Sequence, residues 1–375
     1  MAKTDVVEEE AEPVEAERGD VGPSRWLAAR DGASRFTGDL LERIRSGDRR
    51  QLWIAVAAVA TGVFVWSFFA AGIKPLRVAT VGLQTGAVYS LIALGLALVY
   101  KATRVLNFTQ GELGTVPTFF AFAIMVGFDW SDTGPNPDRA RLWWATLLAI
   151  ALGAGVAVAV NVLVVQRLAQ ASPVISLVAT AGVSLLFISL EIIMFEAKTR
   201  PFPRYIEGDA FTVSGVPVRW HTVVVLLVLA GAALLLALFF RTPAGVALLA
   251  TAQEPFAAEL SGVSVRAMSA LAWATAGAFG AIGGLLGAGV FGNIVPSFVT
   301  SQFLIFAFAA AVLGGLTSMP GAVVGGLVLG LATVYANELV LAMKWDIPGP
   351  PQIAMLVLLM VVLLLRPRGL FGKEA

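Results

Sequence analysis

Apolar residues dominate the chain from residue 51 onward and are grouped into long segments separated by short polar stretches. A bilayer core about 30 Å thick needs about 20 apolar residues per helix. The segments at 111–128, 302–316 and 352–365 are short enough to be re-entrant or broken instead of fully spanning. In all, the pattern predicts ten membrane segments, at 52–73, 78–100, 111–128, 142–165, 173–195, 222–240, 266–290, 302–316, 321–342 and 352–365.

Helices are expected in these segments even though several are rich in Val and Ile. Lipid offers no hydrogen-bond partner to the backbone, so each span must satisfy its own amide and carbonyl groups. Barrel strands would show alternating hydrophobicity over about 10 residues, and that alternation is absent. The predicted fold is therefore all-α, a polytopic transmembrane bundle of about eight to ten membrane segments.

The first 50 residues differ sharply from the rest, since they hold 9 of the 26 Lys/Arg and 12 of the 25 Asp/Glu. Residues 1–20 are acidic and poor in apolar residues, which is typical of disorder, and they lack the basic start of a signal peptide. Residues 21–50 are basic, and either an interfacial helix or a solvated juxtamembrane tail fits them. We therefore expect a cytoplasmic tail at 1–50 and a transmembrane domain at 51–375.

Composition excludes several functional classes. Hydrophobic residues make up 58% of the chain and charged residues 14%, too few charges to cover a soluble enzyme or a nucleic-acid-binding domain of this size. There is no cysteine, and His221 is the only histidine, so Cys-ligated metals and two-histidine sites are ruled out within one chain. Phosphate-loop and hydrolase motifs are also missing. We expect no catalytic residue, no metal and no cofactor.

Loop composition bears on orientation and partners. Lys and Arg are weakly enriched on the side of the N-terminus, which places both termini in the cytoplasm. The outer loop at 196–221 alternates near residues 211–218, which predicts a small hairpin or a lid. The inner loop at 241–265 is Ala-rich and able to form helix. A cytoplasmic helix between two spans has no role in lipid, so it indicates a soluble partner.

Glycines cluster in residues 277–289 and 314–330. Small residues four apart let membrane helices approach closely. We expect packing seams there, which either stay fixed or slide during transport.

Polar residues inside the apolar region are candidates for a pathway because they are expensive in lipid. Gln84 and Tyr89 lie early in the span 78–100 and are candidates to face a pathway. The cluster Asn107-Phe-Thr-Gln-Gly-Glu112 joins two spans directly. It is either a broken-helix element facing a cavity or an ordinary cytoplasmic turn, in which Asn107 or Thr109 caps the next helix and Glu112 complements its N-terminal dipole.

Three further glutamates lie in or beside the spans. Glu191 and Glu196 either face water or pair with Lys198 or Arg200, and we expect an ion pair near the loop in preference to a proton relay. Glu338 is expected to behave similarly. If the protein were instead an ion-coupled carrier, Glu112, Glu191 and Glu338 would be its ion sites.

Several motifs carry a family resemblance. They are Gly82–Tyr100 with Asn107–Glu112; Arg241–Gly245 with Ala252–Pro255 and Leu260–Val263; Gly314–Ala322; and Arg366–Gly372. Together they resemble the permease family of branched-chain amino acid ABC transporters, in the family's order and over about residues 78–372. The family usually has a histidine where Gln110 stands and a basic residue near Leu249.

The resemblance implies the membrane subunit of an importer in the inner (plasma) membrane. Its implied partners are a related permease subunit, two cytoplasmic ATPases, which would hydrolyse the ATP, and an extracytoplasmic substrate-binding protein. Loop 241–265 would dock an ATPase, with coupling residues Arg241, Gly245, Glu254, Glu259, Gly262 and Arg266. The candidate pathway residues are Gln84, Tyr89, Asn107, Gln110 and Glu112.

Solute identity is left open by the sequence. The resemblance implies branched-chain amino acids or a related small polar solute, such as another amino acid, urea, an amide or a carboxylate. The alternative is a protein of another class, a standalone channel or ion-coupled secondary carrier.

Overall fold

The computed structural model describes residue 62 and residues 72–129, 137–168, 171–213 and 215–372. The expected tail at 1–50 and nearly all of the predicted span at 52–73 lie outside the described residues. From residue 72 onward the described residues belong to one compact unit.

The fold is a helix bundle with four very short strands among the described residues. The helices are α1 (Pro75–Thr103), α2 (Glu112–Val126), α3 (Leu142–Val160), α4 (Pro173–Phe195), α5 (Trp220–Phe239), α6 (Pro243–Gln253), α7 (Pro255–Leu260), α8 (Val265–Phe291), α9 (Ile305–Gly314), α10 (Met319–Ala342) and α11 (Pro350–Leu365). The strands are β1 (Arg200–Pro201), β2 (Asp209–Val213), β3 (Val216–Arg219) and β4 (Asn293–Ile294).

The nine predicted membrane segments that fall on described residues are all helical, and their bounds agree with prediction to within three residues. Within the described part of the chain, six helices are long and apolar enough to cross a membrane: Pro75–Thr103, Arg139–Leu168, Val174–Phe195, Trp220–Phe239, Val265–Phe291 and Met319–Ala342. Thr300–Gly314 and Pro350–Leu365 are shorter apolar helices, and α2 has 15 residues. The chain is an integral membrane protein.

Helix ends follow from local sequence. Ser172, Ser264 and Ser318 cap α4, α8 and α10, because each side chain accepts a hydrogen bond from a backbone amide of the first turn. Helix α1 begins with Pro75, whose missing amide is no loss at a helix start. It ends where Arg104 adopts a left-handed conformation at φ 57°.

The two ends of the bundle differ. Strands β2 and β3 form the antiparallel hairpin predicted from the alternation at 211–218. Strand β1, which precedes the hairpin in sequence, pairs with β4. Loop 241–265 forms the predicted helix as the pair α6 and α7. Because α5 starts after the hairpin and runs about 30 Å to α6, these two features mark opposite ends, hereafter the hairpin end and the helix-pair end.

Helices α1 and α8 form the centre, and α1 packs most extensively against α10 and α8. Glycines make this approach possible. A Cβ on Gly330 would overlap the backbone of Gly86, and a Cβ on Gly277 would overlap the backbone of Gly153. The predicted small-residue seams are therefore present, as close contacts between helix backbones.

Candidate functional site

The chain is interrupted directly after α1. Residues 104–107 run without helical structure, Phe108–Gln110 form one 3-10 turn, and α2 then begins at Glu112. With 15 residues, α2 is about 22 Å long, which is less than the thickness of a bilayer core. The interruption is a broken-helix element, as one of the two readings of the polar cluster at 107–112 expected, although neither of the cavities described below reaches it.

This element lies inside the bundle. Thr109 donates its hydroxyl hydrogen to the Thr180 carbonyl at 2.9 Å, and Gln110 donates from Nε2 to the Ala276 carbonyl at 2.9 Å. Thr180 and Ala276 lie well inside α4 and α8. Asn107, Thr109 and Gln110 are all buried. The capping reading of Asn107 and Thr109 is wrong, because the cap position of α2 is Gly111 and no side chain caps it.

A second interruption meets the first. After β4 the chain turns at Ser297, where φ is 58°, and enters α9 through a π-helical turn, Thr300–Leu304. Gly111 lies directly against Thr300, where a Cβ would overlap the threonine side chain. The starts of two short helices, α2 and the helix that leads into α9, therefore touch within the bundle.

Two buried carboxyl groups lie at this junction. Glu112 is 0% exposed and Glu191, from α4, is 2% exposed. Glu191 Oε2 accepts a hydrogen bond from the Ser297 amide at 2.8 Å. One turn beyond Glu112, Thr115 Oγ1 accepts from the Val299 amide at 3.1 Å. The junction therefore joins α2, α4 and the entry to α9.

The expected ion pair of Glu191 with Lys198 or Arg200 is wrong. Lys198 pairs with Glu196 at 2.8 Å, which confirms the prediction for Glu196 alone. Glu191 lies one turn before the end of α4, and its side chain enters the bundle and reaches the turn at Ser297 instead of the loop. None of the ion pairs between described residues includes Glu112 or Glu191.

A cavity of about 420 Å³ opens at the hairpin end. Gln84 lines it, and its Oε1 accepts a hydrogen bond from the Thr222 hydroxyl at 2.9 Å. Arg77 also lines it and pairs with Glu338 at 3.2 Å, so Glu338 does form an ion pair, although with α1. The full lining is Lys74, Arg77, Thr80, Val81, Gln84, Gly215, Val216, Pro217, Arg219 and Thr222.

A second cavity, of about 800 Å³, lies towards the helix-pair end between α1, α5, α6 and the start of α10. It is mainly apolar. Lys101 lines it and places its ammonium 5.0 Å from the centre of the Phe240 ring. Its other lining residues are Leu94, Ala233, Leu236, Ala237, Leu249, Thr317, Ser318, Met319, Pro320, Val323, Val324 and Phe371.

Helices α1 and α5 line both cavities. Gln84 lies in one cavity and Leu94 in the other, about 15 Å apart along α1. Between them the α1 face carries the fully buried Leu91, and the corresponding stretch of α5 carries the buried Val225 and Leu229. Apolar packing therefore separates a cationic cavity at one end from an apolar cavity at the other.

Of the five candidate pathway residues, only Gln84 lines a cavity. Tyr89 stacks on Phe306 with ring centres 5.0 Å apart and meets the edge of Phe303. Asn107, Gln110 and Glu112 are brought together at the junction, where Asn107 Nδ2 donates to Gln110 Oε1 at 3.1 Å. The five residues thus occupy three separate places.

The helix pair presents most of the candidate coupling residues at the surface. Arg241, Glu254, Glu259, Gly262 and Arg266 are exposed. Phe256 and Leu260 are 72% and 76% exposed on α7, beyond the membrane-spanning segments. Gly245 instead is buried, and a Cβ there would overlap the Phe239 carbonyl. Its role is to let α6 turn back tightly against the end of α5.

Sequence reasoning missed several residues of these sites. Lys74, Arg77, Arg219 and Thr222 lie at span ends, where basic and polar residues are common, so nothing in the sequence marks them as lining one cavity. Thr180 and Thr300 were also missed. Thr180 lies in a largely apolar run and Thr300 in a short polar stretch, and the role of each depends on the helix break that faces it.

Known proteins are similar to this chain over most of its length. BraD of Pseudomonas aeruginosa, a permease protein of a high-affinity branched-chain amino acid transport system, is 27% identical over 304 residues, covering 78% of this chain and 94% of BraD. LivH of Escherichia coli, described in the same words, is 27% identical over 305 residues, with 78% and 94% covered. The probable LivH of Methanocaldococcus jannaschii is 27% identical over 297 residues, with 76% and 88% covered.

No solved structure matches this chain significantly. The family model described as the permease component of branched-chain amino acid transport systems matches residues 78–365, which include every described helix except the first turn of α1. The chain belongs to the permease family of branched-chain amino acid transport systems.

Proposed function

We propose that this chain is the membrane subunit of an ATP-driven importer in the inner (plasma) membrane, moving branched-chain amino acids or a related small polar solute. Similarity to permeases of branched-chain amino acid transport systems supports the solute class. The helix-pair end faces the cytoplasm and both termini lie there. The hairpin end faces the substrate-binding protein.

The observation that best supports an ATP-driven importer is the exposed helix pair α6 and α7. Phe256 and Leu260 project from α7 outside the apolar spans, with Glu254 and Glu259 close by. Exposed apolar residues rimmed by charges are typical of a protein interface. The pair is also fixed to the bundle, because Leu248 of α6 is fully buried and α6 packs against α1 and α8. Force applied there reaches α5 and α8.

The two cavities supply the route. A solute enters the cationic cavity at the hairpin end, where Lys74 and Arg219 favour its carboxylate, and leaves through the cavity at the helix-pair end. Opening the packed stretch at Leu91 and Val225 requires α1 and α5 to move apart. Shifting such an equilibrium from 1:99 to 99:1 takes about 5.5 kcal/mol of differential binding, which nucleotide binding in the two partner ATPases would supply. A second, related permease completes the assembly.

The alternative function, an ion-coupled carrier working alone, is favoured by the buried carboxyl pair Glu112 and Glu191. Purification from native membranes under mild detergent separates the two proposals. An importer subunit is recovered with ATPase subunits and a second permease, and the preparation hydrolyses ATP. A chain recovered alone, with no associated ATPase activity, would contradict the importer proposal and support the carrier.

A further inference from the structure

Among the residues that the structure describes, no ion pair gives Glu112 or Glu191 a compensating charge. Both oxygens of Glu112 and Oε1 of Glu191 are buried without a hydrogen-bond partner, and so is Thr300 Oγ1. Only Glu191 Oε2 is satisfied, by the Ser297 amide. These four unpartnered oxygens belong to residues that meet at the junction, since Gly111, next to Glu112, touches Thr300, and Glu191 bonds to Ser297, three residues before Thr300.

Two ionised carboxylates cannot share such a place. Burying one unpaired carboxylate in a low-dielectric interior costs several kcal/mol, and a second like charge beside it adds Coulomb repulsion. The charged side chains on the helices packed around α2 do not relieve this. Arg266 lies at the far end of α8, Glu196 at the end of α4 pairs with Lys198, and Arg141 before α3 pairs with Asp138. Arg200 of β1 forms no ion pair with either carboxyl group.

Backbone amides compensate part of the charge. The Ser297 amide donates to Glu191, and the Glu112 carboxyl lies at the first residue of α2, where the helix dipole favours a negative group. This stabilises one negative charge but not two. The second negative charge therefore requires one positive charge between the two carboxyl groups, at a site where only oxygen atoms can contact it.

We propose that Glu112 and Glu191 form a binding site for one monovalent cation, a proton or a bare alkali ion, which joins the broken starts of α2 and of the helix leading into α9. A divalent metal fits less well, because the described residues hold no group of three or more His, Cys, Asp or Glu that could bind one. A solute fits less well too, because neither cavity reaches these residues. The proposed cation site does not depend on which solute the protein carries.

Thermal unfolding of the purified full-length protein in lipid nanodiscs tests this without solute, nucleotide or ATPase, so its outcome is independent of the proposed function. A cation that binds only the folded state raises the melting temperature. In choline buffer we expect wild type to melt about 2–4 °C lower near pH 9 than near pH 6. Adding sodium near pH 9 should raise the melting temperature back to its value near pH 6 if the alkali ion is the ligand. It should leave the melting temperature unchanged if the proton is the ligand.

The variants E112Q and E191Q keep shape while removing one charge, and in each we expect the pH and sodium dependence to disappear. Glu207, which pairs with Arg139 at the surface, gives the matched control E207Q, which should keep the wild-type dependence. Equal dependence in wild type, E112Q and E191Q would overturn the proposal, and so would a wild-type melting temperature that responds to neither cation.

A second measurement needs no variant. Near pH 6 exposed carboxyl groups are ionised, so an infrared band from a protonated carboxyl reports a buried one. We expect that band in wild type if the proton is the ligand, and a sodium-dependent shift of the carboxylate bands if the alkali ion is. A spectrum with neither feature would refute the site even if both variants failed to fold.

Discussion

The Thr222 hydroxyl donates a hydrogen bond to Gln84 Oε1 at 2.9 Å and so joins α5 to α1 in the cavity at the hairpin end. Both residues line that cavity. The bond therefore holds together the two helices that must separate if a solute passes between them.

Replacing Thr222 by Val removes this bond at nearly constant volume. Because the cavity is open, water can replace the lost donor, and the free energy of unfolding should fall by no more than about 1 kcal/mol. We expect the KM for uptake to change several-fold while the amount of inserted protein stays the same. Ser189→Ala, an exposed position whose hydroxyl bonds only to its own helix, is the control. Unchanged uptake in the Thr222 variant would argue against this entrance.

The amide of Gln110 has the opposite character, because it is fully buried and bonds to both the Ala276 carbonyl and Asn107. Replacing it by Leu leaves the buried Asn107 Nδ2 unpaired and removes a second hydrogen bond from the Ala276 carbonyl, and it should lower the free energy of unfolding by about 1–3 kcal/mol. Gln110→His keeps a ring N–H able to donate to Ala276 and should lose less. Melting temperatures of the two variants compare them directly. A Leu variant as stable as wild type would show that these bonds contribute little.

The seam between α3 and α8 gives a steric prediction. Gly277→Ala puts a methyl group into the backbone of Gly153, and overpacking of this kind costs about 1–3 kcal/mol. Gly155, on the neighbouring helix, has nothing within 4 Å of a Cβ, so Gly155→Ala is the matched control. We expect a lower melting temperature for the first variant and little change for the second. Equal melting temperatures would mean that α3 and α8 shift apart to accommodate the methyl group at little cost in stability.

How far the sequence predicted the structure depended on the kind of signal. Span lengths predicted α1, α4, α8 and α10 closely, because lipid fixes the number of apolar residues that a helix needs. The hairpin at Asp209–Arg219 followed from alternation and the helix pair from an Ala-rich loop. These features depend on residues close together in the chain, so a local pattern records them.

The junction could not be predicted in the same way. Glu191 was expected to pair with Lys198, seven residues away, but it bonds to Ser297, more than a hundred residues away. Asn107 and Thr109 were candidates for a helix cap, yet Thr109 bonds to Thr180. Each choice depends on which helix lies opposite a break, and only the packed bundle decides that.

The helix pair gives a prediction about coupling. Gly262 has φ +80° and open space around it, so Gly262→Val strains the backbone of the turn between α7 and α8 without a clash. Glu259→Lys reverses an exposed charge on α7. We expect both variants to insert normally, to lose most ATP-dependent uptake and to co-purify with less ATPase. The control Leu364→Ala, at an exposed position on α11, should keep both wild-type uptake and its associated ATPase. Normal uptake in both variants would remove the coupling role of this turn.

Uptake by vesicles that contain the purified chain, with and without its companion subunits and ATP, tests the central claim most directly. The account predicts accumulation of a branched-chain amino acid only when the ATPases, the second permease, the binding protein and ATP are all present. It also predicts that Gly262→Val abolishes that accumulation. Solute entry into vesicles that contain this chain alone, with no nucleotide, would contradict it.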